Sequence, residues 1–226
     1  MIIIGDGYLL RKAIIFTQKK KIKIDAICTA KKDPFFKKLM VKVFIDKNIN
    51  KIIPKALKLC KDRLIISTNN YSIIKNKYLI KNYNFFNIHG GLVQNYRGIP
   101  EISMLLSKIN KDEYYGVTLH KILPCQKVDS GPVISQIKFK IKRKYQFKDI
   151  FLKTVELCEK IFEKNLIKLV NNNFKLKKIK AAKVSCSYKN FLSHIKFKNS
   201  LIEDKFCTTL FPKFKKFIIK HNKNIN

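Results

Sequence analysis

Asn87 and His89 stand two residues apart, and Asp129 follows forty residues after His89. Together they offer an amide that donates hydrogen bonds, an imidazole that carries protons near neutral pH, and a carboxylate that accepts them. Side chains alternate along a strand, so Asn87 and His89 share one side of Phe85-Phe86-Asn87-Ile88-His89. Gly90-Gly91 ends that strand and leaves His89 at its carboxyl end, where open α/β sheets bind ligands. By itself the imidazole reads equally as a solvated or hydrogen-bonded loop histidine. A second candidate, Gly5-Asp6-Gly7 followed by Leu10, lacks the third glycine of a dinucleotide fingerprint. It is either a tight strand-to-helix turn or a pyrophosphate seat, with Asp25 facing a ribose or solvent.

The elements that must position these residues alternate between strand and helix. Met1 to Ile4 is a short buried strand, and a helix follows over Leu9 to Phe16. A second strand lies within Lys21 to Thr29, Asp46 to Leu59 is partly helical, and Arg63 to Ser67 is a third strand. After the Asn87 strand, Pro100-Glu101 opens a helix whose apolar stripe is Ile102, Leu105, Leu106 and Ile109. Gly116 to Leu123 and Pro132 to Ile137 are further strands, joined by a loop holding Val128-Asp129-Ser130-Gly131. Phe151, Val155, Cys158, Phe162, Leu166 and Leu169 recur at spacings of three and four, which predicts a long amphipathic helix with Asp149 as its N-cap. The alternation predicts an α/β fold with a mostly parallel sheet over residues 1–173, followed by a small appendage over 174–226.

Composition bounds the function classes. The chain of 226 residues carries 49 Lys plus Arg against 15 Asp plus Glu, a net charge of +34. Such a charge suits a polyanionic partner, yet only four of the basic residues are Arg (Arg11, Arg63, Arg97, Arg143), and bidentate phosphate or base recognition favours guanidinium. Lys, Ile, Asn, Phe and Tyr dominate together, the set that AT-rich codon choice favours, so the charge reads in part as drift on solvated faces. The six cysteines show no C-x-x-C pair and no metal-ligand spacing, so no metal is expected. No apolar run reaches a bilayer-spanning length, and a soluble, cytoplasmic protein without membrane contact is expected.

Three stretches in order, Asn87-Ile88-His89 with Tyr96-Arg97-Gly98, then Gly116-Val117-Thr118, then Asp129-Ser130-Gly131, resemble the folate-dependent formyltransferase family over about residues 84 to 137. Members of that family transfer a formyl group from 10-formyltetrahydrofolate to an amine on a Rossmann-like domain. The resemblance implies that Asn87, His89 and Asp129 are the catalytic trio. It places Gly91, Leu92, Val93, Gln94, Gln126, Lys127 and Val128 around the folate, although Gly91 and Gln94 replace the usual Ser and Pro. Arg97 is assigned to the anionic substrate, or else to stabilising its own loop. In this chemistry Asn87 steadies the oxyanion, His89 relays protons, and Asp129, a few ångströms away, raises the histidine's pKa by about one to three units.

The acceptor is expected to be a nucleotide-linked amino sugar. Ile99-Pro100-Glu101 and the Gly116 to His120 strand lean toward sugar-modifying members, as does Ser185-Cys186-Ser187-Tyr188-Lys189. Enzymes that formylate methionyl-tRNA continue into a longer C-terminal domain, so tRNA is not favoured as a partner. Two further readings compete: an enzyme acting on glycinamide ribonucleotide, and a non-catalytic basic RNA-binding protein on the same scaffold. The phenylalanines of the tail suggest a homodimer.

Overall fold

Ile2, Ile3 and Ile4 are each no more than 1% exposed. A run of β-branched residues buried on both faces is what a central parallel strand requires, and the computed structural model, which describes residues 1–187, builds the sheet around it. This strand, β1 (Ile2–Gly5), lies between β2 (Ala26–Thr29) and β4 (Leu64–Thr68). The complete order is β3-β2-β1-β4-β5-β7-β8, with β3 at Lys42–Ile45, β5 at Asn84–His89, β7 at Tyr114–Ile122 and β8 at Val133–Lys140. β1 to β5 run parallel; β7 is antiparallel to both β5 and β8. This is the expected α/β, mostly parallel sheet. β3 is not evident in the sequence because it is a four-residue edge strand with both ends exposed, bearing little of the apolar signal of the centre.

Helices cover both faces. On one, α1 (Gly7–Lys19) and the long α4 (Phe147–Val170) pack Leu10, Ile14, Ile161 and Leu166 against Ile3, Ile66, Phe86 and Val117. Full burial of side chains this size stabilises by about 1.5 to 3 kcal/mol each, so this layer fixes the sheet. The other face carries the short α2 (Ile53–Leu57), whose Ile53, Ala56 and Leu57 meet Ile2, Ile4 and Phe85. A third cluster joins α3 (Pro100–Ile109) to Tyr115 of β7 and Phe147 and Ile150 of α4. The N-cap of α4 is Gln146, not Asp149. Asp149 sits one turn in and accepts a hydrogen bond from the Gln146 N–H (2.8 Å), closing a capping box.

After α4 the chain returns to the domain. Lys177 bridges to Val133, the Ala182 N–H donates to the Val93 carbonyl (2.8 Å), and β9 (Ser185–Cys186) pairs in parallel with β6 (Arg97–Gly98). The rest of the expected appendage, residues 188–226, lies outside the described residues, and so do the tail phenylalanines behind the homodimer expectation. No described helix is long and apolar enough to cross a membrane.

Candidate active site

Asn87 and His89 fall within the last three residues of β5, and antiparallel pairing sets Asn87 directly opposite His120 of β7. Asp129 enters from the loop between β7 and β8 in the left-handed region (φ +51°), a conformation that Asp tolerates better than most residues. Its carboxylate draws the cluster together. Oδ1 accepts from Asn87 Nδ2 (3.2 Å) and faces His120 Nε2 at 3.2 Å; Oδ2 accepts from the Gly98 N–H (3.0 Å) and faces His89 Nδ1 at 3.4 Å. The three expected residues therefore converge, and a fourth, His120, joins them. Residue type alone does not mark His120, because its place depends on strand register. The one signal it offers is its alternation with Thr118, the residue paired with His89.

Electrostatics corrects one expectation. Burial, at 3% exposure, dominates for His89 and lowers its pKa. Asp129 pulls the other way, as anticipated, but does not prevail, and the charges of His120 and Arg97 add to the lowering. For Asp129 burial opposes ionisation, yet His89, His120 and the Gly98 N–H outweigh it and hold the carboxyl well below the usual carboxylate range. The Tyr96 carbonyl, 3.2 Å from His89 Nε2, can only accept, so Nε2 carries a hydrogen and Nδ1, facing Asp129, is the nitrogen open to proton traffic.

The cluster opens into a cavity of about 420 Å³ lined by Asn87, His89, His120 and Asp129, with Gln126, Lys127 and Val128 on one wall. The loop after β4, from Asn69 to Ile74, lines it as well, and no motif marks that loop in the sequence. Tyr71 of that loop donates to Glu101 Oε1 in the first turn of α3. Glu101 is 3% exposed; its Oε2 has no hydrogen-bond partner among the described residues, and burial raises its pKa. The apolar walls, among them Ile74, Leu79, Ile122 and Leu123, suit a flat heteroaromatic ring, and the volume falls within the usual range for small-molecule sites.

Other expected site residues lie elsewhere. Gly91, Leu92, Val93 and Gln94 do not line this cavity: Leu92 and Val93 are buried behind His89, and Gln94 pairs with Gln136 (2.8 Å). Arg97 is turned from the cavity. Its guanidinium donates to the carbonyls of Ala182, Val128 and Lys183 at 2.5 to 2.9 Å, committing three of its five N–H groups to backbone. The Gly5 turn is structural, because a Cβ there would collide with the Thr68 carbonyl. The Asp6 carboxylate accepts from the Thr29 hydroxyl and the Ala30 N–H, and Asp25 accepts from the Met1 nitrogen (2.7 Å). Among the described residues no group of three or more His, Cys, Asp or Glu is placed to hold a metal ion.

No family model matches the chain. Solved structures with this fold include an N-formyltransferase from Helicobacter canadensis bound to folinic acid and dTDP-3-aminofucose (TM-score 0.65, 21% identity, 90% of this chain and 73% of that one). The fold is that of the formyltransferases. A sugar N-formyltransferase from Shewanella superposes with TM-score 0.70 (18% identity, 88% and 80% covered), and a phosphoribosylglycinamide formyltransferase from Bacillus halodurans with 0.64 (18% identity, 75% and 94% covered). In sequence, 136 residues are 33% identical to the bifunctional polymyxin resistance protein ArnA of Wigglesworthia glossinidia brevipalpis, spanning 58% of this chain but only 20% of that relative. The formyltransferase resemblance carried by Asn87-Ile88-His89 and Asp129-Ser130-Gly131 thus extends to the whole described sheet.

Proposed function

We propose that this chain transfers a formyl group from 10-formyltetrahydrofolate to the primary amine of a nucleotide-linked amino sugar, with residues 1–173 as the catalytic domain, 174–226 as its appendage, and the cytoplasm as its place of work. The convergence of Asn87, His89 and Asp129 on one cavity carries the reading. The Helicobacter neighbour, crystallised with a folate and a dTDP-amino sugar, supports the substrate class.

Asn87 donates an amide hydrogen to the formyl oxygen as charge grows there, worth roughly 3 to 4 kcal/mol in comparable sites. Asp129, ionised throughout the neutral range, accepts the proton that the attacking nitrogen must lose. His89, neutral at rest through burial, takes up a proton on Nδ1 from that carboxylate and gives it to N10 as the bond from the formyl carbon to that nitrogen breaks and tetrahydrofolate leaves. Gln126, Lys127 and Val128 line the cavity and face the folate.

The experiment is turnover with 10-formyltetrahydrofolate and a panel of acceptors: dTDP-amino sugars, phosphoribosylglycinamide and methionyl-tRNA. Release of tetrahydrofolate with the amino sugars, absent in Asn87→Ala, is expected. Turnover with phosphoribosylglycinamide alone would reassign the acceptor, formylated methionyl-tRNA would restore tRNA as a partner, and no turnover with any of them would remove the reading.

A further inference from the structure

Asp129 is flanked by two imidazoles, and the proposed chemistry uses only one. His120 is 2% exposed; its Nδ1 lies 3.2 Å from the Lys121 carbonyl, and its Nε2 lies 3.2 Å from Asp129 Oδ1 and 3.4 Å from Asn87 Nδ2. A carbonyl accepts and never donates, so Nδ1 carries a hydrogen and Nε2 is the variable nitrogen. His89 repeats the arrangement, one nitrogen on the Tyr96 carbonyl and the other on Asp129 Oδ2. Each carboxylate oxygen therefore faces an imidazole nitrogen that is either a lone pair or an N–H. His120 Nε2 thus meets the Asp129 carboxylate and the Asn87 amide at once.

We propose that His120 is a positioning residue whose Nε2, shared between Asp129 and Asn87, sets which way the Asn87 amide points; the inference rests on the formyl-transfer reading above. With His120 neutral, Nε2 accepts one Asn87 amide hydrogen while Asp129 accepts the other. With His120 charged, Nε2–H donates to Asp129 Oδ1 and can no longer accept, so an Asn87 hydrogen is released toward the formyl oxygen.

The other charged and titratable groups around the pair come from four elements. On β5 there is His89 itself; on β6, Arg97 is held by the Val128, Ala182 and Lys183 carbonyls. On β7, the ammonium of Lys121 donates to Asn84 Oδ1 (2.8 Å). Cys186 on β9 has a thiol pushed up to about 11 by burial and is neutral, and Lys127 stands on the cavity wall. Removing His120 therefore acts on His89 in two ways, by taking away a charge that lowers its pKa and by freeing the Asp129 carboxylate that raises it.

The test follows the imidazole nitrogens by ¹⁵N NMR on the full chain without substrates, so its outcome does not depend on formyl transfer. In the wild-type protein the His89 Nδ1 inflection is expected below the ordinary histidine value of 6.5. In His120→Gln, which keeps a hydrogen-bonding side chain, the His89 inflection moves up by about half a pH unit or more, because a competing positive charge is gone. In turnover the same variant loses about tenfold in kcat with KM for both substrates within about twofold, and the acid limb of its profile moves with the His89 inflection. A His89 inflection unmoved in folded His120→Gln overturns the proposal. That result is read even where turnover is absent, which separates this failure from failure of the functional reading.

Discussion

A Cβ built on Gly91 would lie 2.5 Å from His89 Nε2, the atom that donates to the Tyr96 carbonyl. The residue after Gly90 is thus small because the imidazole occupies the space a side chain would take. Gly91→Ala is expected to swing the ring off Tyr96 and away from Asp129. Displacements of this size, about 1 Å, cost on the order of 10²-fold in rate. Steady-state kinetics should show the loss in kcat, with little change in melting temperature.

Asp129→Asn and Asp129→Ala should differ in how they fail. Asn tolerates the left-handed backbone at 129, so the Asn variant folds while kcat/KM falls by about 10²- to 10⁴-fold, the scale of a lost proton acceptor. Ala lacks both that tolerance and the oxygens that receive the Gly98 N–H and Asn87 amide, so it should also unfold at lower temperature. Equal melting curves for the two variants would contradict this account.

Acid should weaken both catalysis and the fold. His89 has its pKa lowered, so the unfolded chain binds its proton first and stability drains as pH falls through the ordinary histidine range. Asp129 has its pKa lowered too, and the stability it supplies is lost at still lower pH, as pH falls below the ordinary carboxylate value toward the folded one. Both signs agree. Thermal melts should therefore drop from about pH 7 to 5 and drop again below about 4, while the acid limb of kcat/KM lies below the ordinary histidine value of 6.5.

Arg97 is a clamp, and the clamp has geometry. Lys carries a point charge without a planar fork, so Arg97→Lys cannot satisfy the carbonyls of Val128, Ala182 and Lys183 together. A loss of about 2 to 4 kcal/mol is expected from charge-assisted hydrogen bonds forgone. Denaturant unfolding measures it as a lower midpoint with an unchanged slope.

Glu101 should oppose stability at neutral pH. Its folded pKa is raised, so the native state binds the proton more tightly, and stability falls as pH rises from the ordinary glutamate value through the raised one. Glu101→Gln abolishes that dependence while keeping an acceptor for Tyr71. The variant should gain on the wild type as pH rises from the ordinary glutamate value of 4.5 toward neutrality, because the amide carries no charge to bury. Parallel melting curves across that range would remove the assignment.

Local chemistry makes the sheet legible: Ile2-Ile3-Ile4 and Leu64-Ile65-Ile66 are apolar because both faces are covered, and that pattern survives in one dimension. Asn87, His89 and Asp129 are legible because residue type and order suffice to connect them. What escapes depends on distance in the chain. His120 acquires its role from an antiparallel register, and Arg97 finds two of its three acceptors some 85 residues downstream, where nothing near Tyr96-Arg97-Gly98 announces them. The Asn69 to Ile74 wall is loop backbone without periodicity, so no pattern marks it.

The parallel pairing of Arg97-Gly98 with Ser185-Cys186 has a practical corollary. Any truncation placed just after α4 would strip a buried cation of two of its three oxygens, and with them the tether on the strand that presents the Gly98 N–H to Asp129. The reaction centre is assembled from its middle yet fastened from far along the chain, so a shortened version would fail first as a scaffold and only then as a catalyst.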